Sequence, residues 1–539
     1  MSTLLAHLTI WPILLPLVSA AVLLLLGDEH RRLKSLVNVT ACLAGVLVAA
    51  LVVWRADADR LGVYLASNWE APFGIVLVAD RLAALMLLVT SIVGLCAALH
   101  AEGAWSRVGV YFHPLFQIQL MGINGAFLTG DLFNLFVFFE VMLAASYGLQ
   151  LHGSGLPRVR SGLHYLAVNL LASALFLVGL AVLYGVLGTL SMADIAAKLP
   201  HVPANDRGLL HAGATILALA FLIKAAVWPL NAWLVPAYTA ASAPVAALFA
   251  VMTKVGIYTL LRLWTLLFSA DGPSSHFGQS FLLHGGLVTI AVGTIGLLTT
   301  VRLDRIAAFS IVVSSGTLLA AIGADTPAVM SAALFYIVTA TLAASALFLL
   351  VELVERIGKS RRQQLTEDDD DDDETAPGED TNLDDAQLPL VGRAFPVSIA
   401  LLGLAFMSCT MLVAGLPPLS GFLAKLSLLT AVVDSDATGS ADLPAARWVF
   451  LALLLVSSLS SIVSFSRAGI KHLWATGRRS APEVKGAEAA AVTTLLLSCA
   501  LLTVFAEPVL RYTRATAEQL HAPPSYVDRV LSTTAEPRP

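Results

Sequence analysis

The chain has 539 residues, of which 57% are hydrophobic and only 13% charged, and its formal net charge is −5. A water-soluble domain of this length needs far more charge to cover its surface, so the soluble globular classes are excluded. The acidic balance is local, because residues 367–385 hold twelve acids and no bases and leave the rest of the chain net basic.

A helix crosses the ~30 Å hydrocarbon core of a bilayer with about 20 apolar residues. Windowed hydropathy predicts spans near 4–26, 37–54, 79–100, 114–130, 131–151, 162–188, 211–234, 242–268, 281–301, 307–323, 328–354, 395–433, 447–466 and 487–506, fourteen in all, the twelfth long enough to be broken. The first stretch, Leu4 to Leu26, is too long for a signal core and lacks a basic flank, so it reads as a membrane helix. Cys42, Cys96, Cys409 and Cys499 lie inside apolar segments without CxxC spacing, which favours core packing over a disulfide or a metal. No phosphate-binding loop, HExxH or nucleophile motif is present, so neither covalent chemistry nor a cofactor is expected. No basic patch alternates with aromatics, which argues against a nucleic-acid partner.

The loops set an expected orientation. Arg31, Arg32 and Lys34 follow the first span, Arg158 and Arg160 the fifth, Arg302 and Arg305 the ninth, Lys359, Arg361 and Arg362 the eleventh, and Arg467, Lys471, Arg478 and Arg479 the thirteenth. With this count all of them fall on one side, and the opposite short loops hold chiefly Arg55, Arg60, Lys198 and Arg207. The positive-inside rule then puts both termini outside the cytoplasm. Residues 357–393 form one long polar linker on the cytoplasmic side, and the acidic run Glu367–Glu374 within it is expected to be a disordered spacer.

Four ionisable residues lie deep in apolar sequence: Glu140, Lys224, Lys254 and Lys425. A charge at mid-membrane costs about 2.5–3.5 kcal/mol on insertion scales, a cost that helix assembly alone does not require. Such residues face a bundle interior and mark ion or proton paths; the blander reading is a snorkelling or structural lysine. Arg262 is near enough to a helix end to snorkel, Asp80 and Arg81 border the third span, His164 and His284 read as packing residues, and Glu352 and Glu355 close the eleventh span toward solvent. Helix breakers flank two of the lysines. Lys224 precedes Ala225-Ala226-Val227-Trp228-Pro229, with Pro236 and Pro244 beyond, and Lys425 follows Gly415-Leu416-Pro417-Pro418-Leu419-Ser420-Gly421. Freed backbone groups are tolerated in lipid only beside protein or water, so a buried lysine on an interrupted helix in each half fits an inverted repeat with its site near the midplane.

The fold class expected is therefore an all-α polytopic membrane protein with two inverted five-helix repeats and broken seventh and twelfth helices. Residues 1–113 hold the first three helices, 114–268 the first repeat (helices 4–8), 281–466 the second (helices 9–13, interrupted by the linker), and 487–539 the last helix and an external tail.

The same residues carry a family likeness. Phe138-Phe139-Glu140-Val141-Met142-Leu143 and Phe221-Leu222-Ile223-Lys224-Ala225-Ala226-Val227-Trp228-Pro229-Leu230 resemble the antiporter-like subunits of respiratory complex I and of Mrp-type cation/proton antiporters. The stretches Ala241–Tyr258 and Ala414–Lys425 look specifically like the D subunit of the Mrp type. The resemblance implies a bacterial inner-membrane transporter subunit rather than an enzyme, exchanging sodium for protons with partner subunits of the A, B, C, E, F and G types. It also implies a proton relay of Glu140, Lys224, Lys254 and Lys425. In such a relay a desolvated lysine releases its proton more readily than one in water, and an approaching carboxylate opposes that release. Relatives often carry a histidine in the eleventh helix where this chain has Thr339, so Thr339, Thr341 or Ser345 with water is expected to substitute. The alternative within the superfamily is a proton-pumping subunit of a complex I type NADH:quinone oxidoreductase or a membrane-bound hydrogenase. A rival from another class is a structural scaffold that conducts nothing.

Overall fold

The computed structural model of the chain describes residues 7–58, 61–105, 108–268, 272–371, 397–434, 445–474 and 484–534. It is a helical bundle with one small hairpin. The membrane helices begin with α1 (Trp11–Leu25) and α2 (Arg31–Asp57), then the antiparallel pair β1 (Gly62–Leu65) and β2 (Val76–Ala79). They continue through α3 (Arg81–Ala101), α4 (Phe112–Leu128), α5 (Leu132–Gln150) and α6 (Leu156–Leu187) to the short α7 (Met192–Lys198) and α8 (Ala204–Lys224). Next come α9 (Leu234–Ala240), α10 (Ala243–Leu267), α11 (Gln279–Thr299), α12 (Leu303–Ala324) and α13 (Pro327–Asp371). The chain ends with α14 (Val397–Ala414), α15 (Ser420–Asp434), α16 (Ala445–Gly469), α17 (Gly486–Val504), α18 (Ala506–Leu520) and α19 (Pro523–Leu531).

Among the described residues, 12 helices are long and apolar enough to cross a membrane; α1 is apolar but shorter, at 15 residues, and α4 has 17. Every one of the expected spans contains a helix. The expected twelfth is split into α14 and α15, and the expected seventh ends as α8 at Lys224 before a turn and α9. The hairpin and the two C-terminal helices are additions to the expected pattern. α13 continues to Asp371, past residue 357 where the polar spacer was expected to start. Arg361, Arg362, Gln363 and Gln364 are straight-chain residues that sustain a helix at little cost in rotamer freedom. The remainder of the spacer, 372–393, lies outside the described residues.

Loops gather on two faces. On one, His7 meets Tyr64 at 3.3 Å, Leu77 bridges to Thr129, Asp131 bridges to Ser191, Tyr512 donates to the Arg81 carbonyl at 2.9 Å, and His521 lies 3.4 Å from Asp325. On the other, Trp105 donates to Glu352 at 2.8 Å, His152 contacts the Trp105 carbonyl, Arg158 donates to the Ala240 carbonyl, and Arg356 pairs with Glu488 at 2.8 Å. The segments joined on each face are those following alternate spans. We refer to these as the hairpin face and the Trp105 face.

Local chemistry explains several elements. Asp80 caps α3 by accepting from the Ala83 N–H at 2.9 Å, and Asp131 caps α5 through Asn134 in the same way. Pro16 inside α1 has no N–H to give the carbonyl of Pro12, and the Asn124 side chain supplies one from α4 at 2.8 Å. The four cysteines are free and buried. Exposed leucines such as Leu47, Leu404, Leu459 and Leu501 clothe the outside of the bundle, as a lipid-facing surface requires. His164 and His284 also lie on that outside instead of packing in the core, and His284 bonds to the Ser280 carbonyl of its own helix.

The centre of the bundle is α10, all of whose residues are buried. It packs against α3, α4, α8, α12 and α13, so it has no lipid-facing side. α11 and α12 approach closely through glycines: a Cβ at Gly286 would lie 2.4 Å from the Ala320 amide nitrogen, whereas one at Gly185 on α6 would meet nothing within 4 Å. Gly286→Leu should therefore force the two helices apart, at a cost of ~1–3 kcal/mol or more, and lower the melting temperature in detergent. Gly185→Leu should leave it nearly unchanged, and equal melting of the two variants would refute the close approach.

The tail offers a second test. Burial works against a charged His521, but the Asp325 carboxylate 3.4 Å away and the hydrogen bond to the Ala517 carbonyl outweigh it and raise its pKa. A raised folded pKa stabilises below the ordinary histidine value, and that contribution disappears as pH rises through the raised value. Amide exchange in α18 should therefore quicken on going to alkaline pH, and His521→Gln should flatten the dependence.

Candidate proton path

The four buried ionisable residues occupy three separate settings. Glu140, on α5, accepts a hydrogen bond from Ser173 of α6. Lys224 is the last residue of α8, and its ammonium lies 5.7 Å from the centre of the Phe139 ring. No ion pair of 4.0 Å or less joins Glu140 to Lys224 among the described residues; the space between α5, α6 and α8 is filled by Phe139, Phe176 and Phe221, whose rings lie 5.0–6.0 Å apart. The two residues expected to pair are thus each engaged elsewhere, Glu140 with Ser173 and Lys224 with the Phe139 ring.

The break after Lys224 is built from its own sequence. Ala226 takes a positive φ of 53°, Val227 donates back to the Leu222 carbonyl at 3.0 Å, and Trp228 donates its N–H to Thr289 of α11 at 3.1 Å. The Trp233 indole reaches back to the Ile223 carbonyl at 3.0 Å, so the end of α8 is not left bare. α8 and α10 cross where Gly256 allows it: a Cβ there would be 2.8 Å from the Ala225 nitrogen and 3.0 Å from the Phe221 carbonyl. That crossing brings Lys224 and Lys254 to either side of one contact point.

Lys254 is 2% exposed and donates to Ser314 of α12 at 2.7 Å. It opens onto a cavity of about 30 Å³ whose wall includes Ser314, Tyr336, Thr339, Ala343, Val413 and Gly421. A void of this size has room for a water or two, and Lys254, Ser314, Tyr336 and Thr339 offer it polar partners. At its far side lies the break between α14 and α15. Pro417 and Pro418 lack the N–H groups that a continuing helix would give to the carbonyls four residues earlier, those of Val413 and Ala414. Lys425 takes both, at 2.9 and 3.1 Å, and adds Ser458 of α16 at 2.8 Å. All three ammonium donors are thereby used, and the cavity connects Lys254 to a carbonyl that Lys425 holds. Gly415 has φ +77°, and a Cβ there would lie 2.6 Å from the Lys425 side chain, so the turn and the lysine fit only around glycine.

Of the three expected substitutes for the missing histidine, Thr339 lines the cavity. Thr341 donates to the Ile337 carbonyl and Ser345 to the Ala247 carbonyl. Sequence reasoning did not find Ser173, Ser314, Ser458 or Tyr336, because a serine or tyrosine in an apolar helix gives no signal until its partner is known.

Two expectations are corrected. Arg262 does not snorkel: it forms a two-pronged ion pair with Asp80, at 2.6 and 2.7 Å, with both groups buried. Glu352 does not end in solvent but joins a cluster on the Trp105 face, accepting from Trp105 and from Arg356 at 2.8 Å and lying 3.5 Å from the buried His100. In both cases a partner comes from a segment far away in sequence.

Residues 129–368 match the family model described as NADH:quinone oxidoreductase/Mrp antiporter, transmembrane. A protein of Rhizobium meliloti, named as the probable D subunit of a K(+)/H(+) antiporter, is 48% identical over 98% of this chain and 98% of its own length. The D subunit of the Na(+)/H(+) antiporter of Alkalihalophilus pseudofirmus is 32% identical over 97% and 99%. A chain in the structure of the Mrp complex from Dietzia sp. superposes with a TM-score of 0.81 at 26% identity, covering 98% of this chain and 99% of that one.

Proposed function

Because this chain belongs to the family of Mrp-type monovalent cation/proton antiporter D subunits, we propose that it carries a proton path within a multisubunit antiporter of a bacterial plasma membrane. Glu140, Lys224, Lys254 and Lys425 are its relay. The water-sized cavity between Lys254 and Val413, whose carbonyl Lys425 grips, carries this reading, since it leaves room for a water link where apolar packing would otherwise break the chain of donors. The conformation described corresponds to an open Glu140–Lys224 pair. In that state Lys224 is released from its carboxylate and can pass its proton on toward Lys254 through water. When Glu140 swings from Ser173 toward Lys224, the proton is retained.

Residues 114–268 and 281–466 are read as two inverted copies, supported by a helix break beside a lysine in each. Lys224 ends the helix before its break and Lys425 lies in the helix after its own. The hairpin face is read as external, which puts both chain ends outside and the arginine-rich loops in the cytoplasm. The partners are the other subunits of the antiporter. The cation is read as potassium in place of the sodium first expected, because the relative at 48% identity is named for potassium and the one at 32% for sodium. Those names also favour cation exchange over a redox-driven pump.

In liposomes containing the whole complex, Lys224→Ala and Lys425→Ala should abolish exchange with assembly intact, while Glu140→Asp, shorter by one methylene, should lower it only in part. Near-normal exchange by Lys224→Ala would end the relay. Ala343→Leu should fill the cavity and cut exchange by an order of magnitude or more (~1.4 kcal/mol per tenfold) without loss of subunits. A potassium gradient should drive proton movement better than an equal sodium gradient, and the reverse order would restore sodium.

A single cysteine at Ser525 should be labelled by an impermeant reagent in intact cells, and one at Ser154 should not. Labelling of Ser154 alone would invert the orientation.

A further inference from the structure

Arg262 and Asp80 stand apart from the relay. Lys254, Tyr258 and Arg262 are spaced by four on α10, which sets them along one side of the helix and about 6 Å apart in height. Below Lys254, toward the hairpin face, the Tyr258 hydroxyl donates to the Phe127 carbonyl at 2.5 Å and lies 3.4 Å from the Arg262 guanidinium. This side of α10 thus leads from Lys254 toward the hairpin face and ends at the buried Arg262–Asp80 pair. There Asp80 receives both prongs of Arg262 and the Ala83 N–H. The Tyr526 ring of α19 covers the guanidinium at 5.4 Å. The neighbouring Arg81 is turned away, donating to the Asp57 carbonyl at 3.1 Å.

A buried ion pair gives little net stability compared with an apolar pair of the same volume. This one has properties suited to stopping protons. A guanidinium does not release its proton in a protein, so it cannot serve as a relay station. Its fixed positive charge in a medium of low dielectric constant repels an excess proton approaching from Tyr258. Asp80 spends three of its acceptor sites on Arg262 and the Ala83 N–H, which fixes the guanidinium in place.

We propose that the Arg262–Asp80 pair is a seal: it prevents protons on Lys254 from escaping along α10 to the hairpin face and so obliges them to continue to Lys425. This rests on the relay proposed above. Its test is passive proton flux into liposomes that contain the whole complex and no exchangeable cation. Asp80→Asn combined with Arg262→Gln, which removes both charges but keeps similar volumes, should raise that flux about tenfold, and adding Lys254→Met should return it to the unmodified level.

Flux unchanged in assembled complex would reduce the pair to a structural brace, and a raised flux indifferent to Lys254→Met would show a hole unconnected with the relay; either overturns the proposal. If the double variant does not assemble, Arg262→Lys, which keeps the charge but grips Asp80 at one point, should give a smaller rise, and no rise would again overturn the seal. Failure of the relay itself is read separately, from cation exchange in Lys224→Ala.

Discussion

The grip of Lys425 on the Val413 and Ala414 carbonyls is the interaction on which the rest of the path depends. In hydrocarbon a backbone carbonyl without a donor is costly, and an ammonium without acceptors is costlier still. Pro417 and Pro418 create the first problem and Lys425 the second, and each solves the other. The result is a helix that can be broken in mid-membrane without being unstable, and a charge that can be buried there without a carboxylate. Any proton that leaves Lys425 disturbs this balance, so proton movement and the geometry of the α14–α15 turn are linked by the same hydrogen bonds.

The three lysines are held by different kinds of partner, and this would give the proposed path a direction. Lys224 has an aromatic face and a carboxylate out of reach, Lys254 a single serine, and Lys425 two carbonyls and a serine. The number of acceptors increases along the series. α10 makes the series possible, because a helix buried on every side can present Lys254 to the cavity and Arg262 to Asp80 without exposing either to lipid.

Much of this was legible in the chain. Hydropathy located the helices because a membrane span must be long and apolar, and the four buried ionisable residues stood out because a charge in such a span is rare. The breaks were legible because proline cannot donate. What sequence could not supply was pairing. Asp80 and Arg262 are 182 residues apart, and nothing local in either says that they meet. Glu352 looked like a helix end facing water because its partners, His100, Trp105 and Arg356, come largely from elsewhere. The hairpin was too short for a hydropathy window. The amphipathic helices α18 and α19 lay in a polar tail, where the spacing of Val509, Tyr512, Thr516 and Leu520 was the one available sign.

The expected Glu140–Lys224 pair illustrates the difference between identity and state. Both residues were recognisable from their depth, yet their partners, Ser173 for Glu140 and the Phe139 ring for Lys224, were not, and Phe139 packs in turn on Phe176 and Phe221. Close-packed aromatics do not deform continuously; they repack between discrete arrangements. In the proposed pair, a carboxylate that moves beside such rings would have two positions and few in between. That two-position character lets a change elsewhere in an assembly act on a proton here without touching it, by favouring one packing of three rings over another.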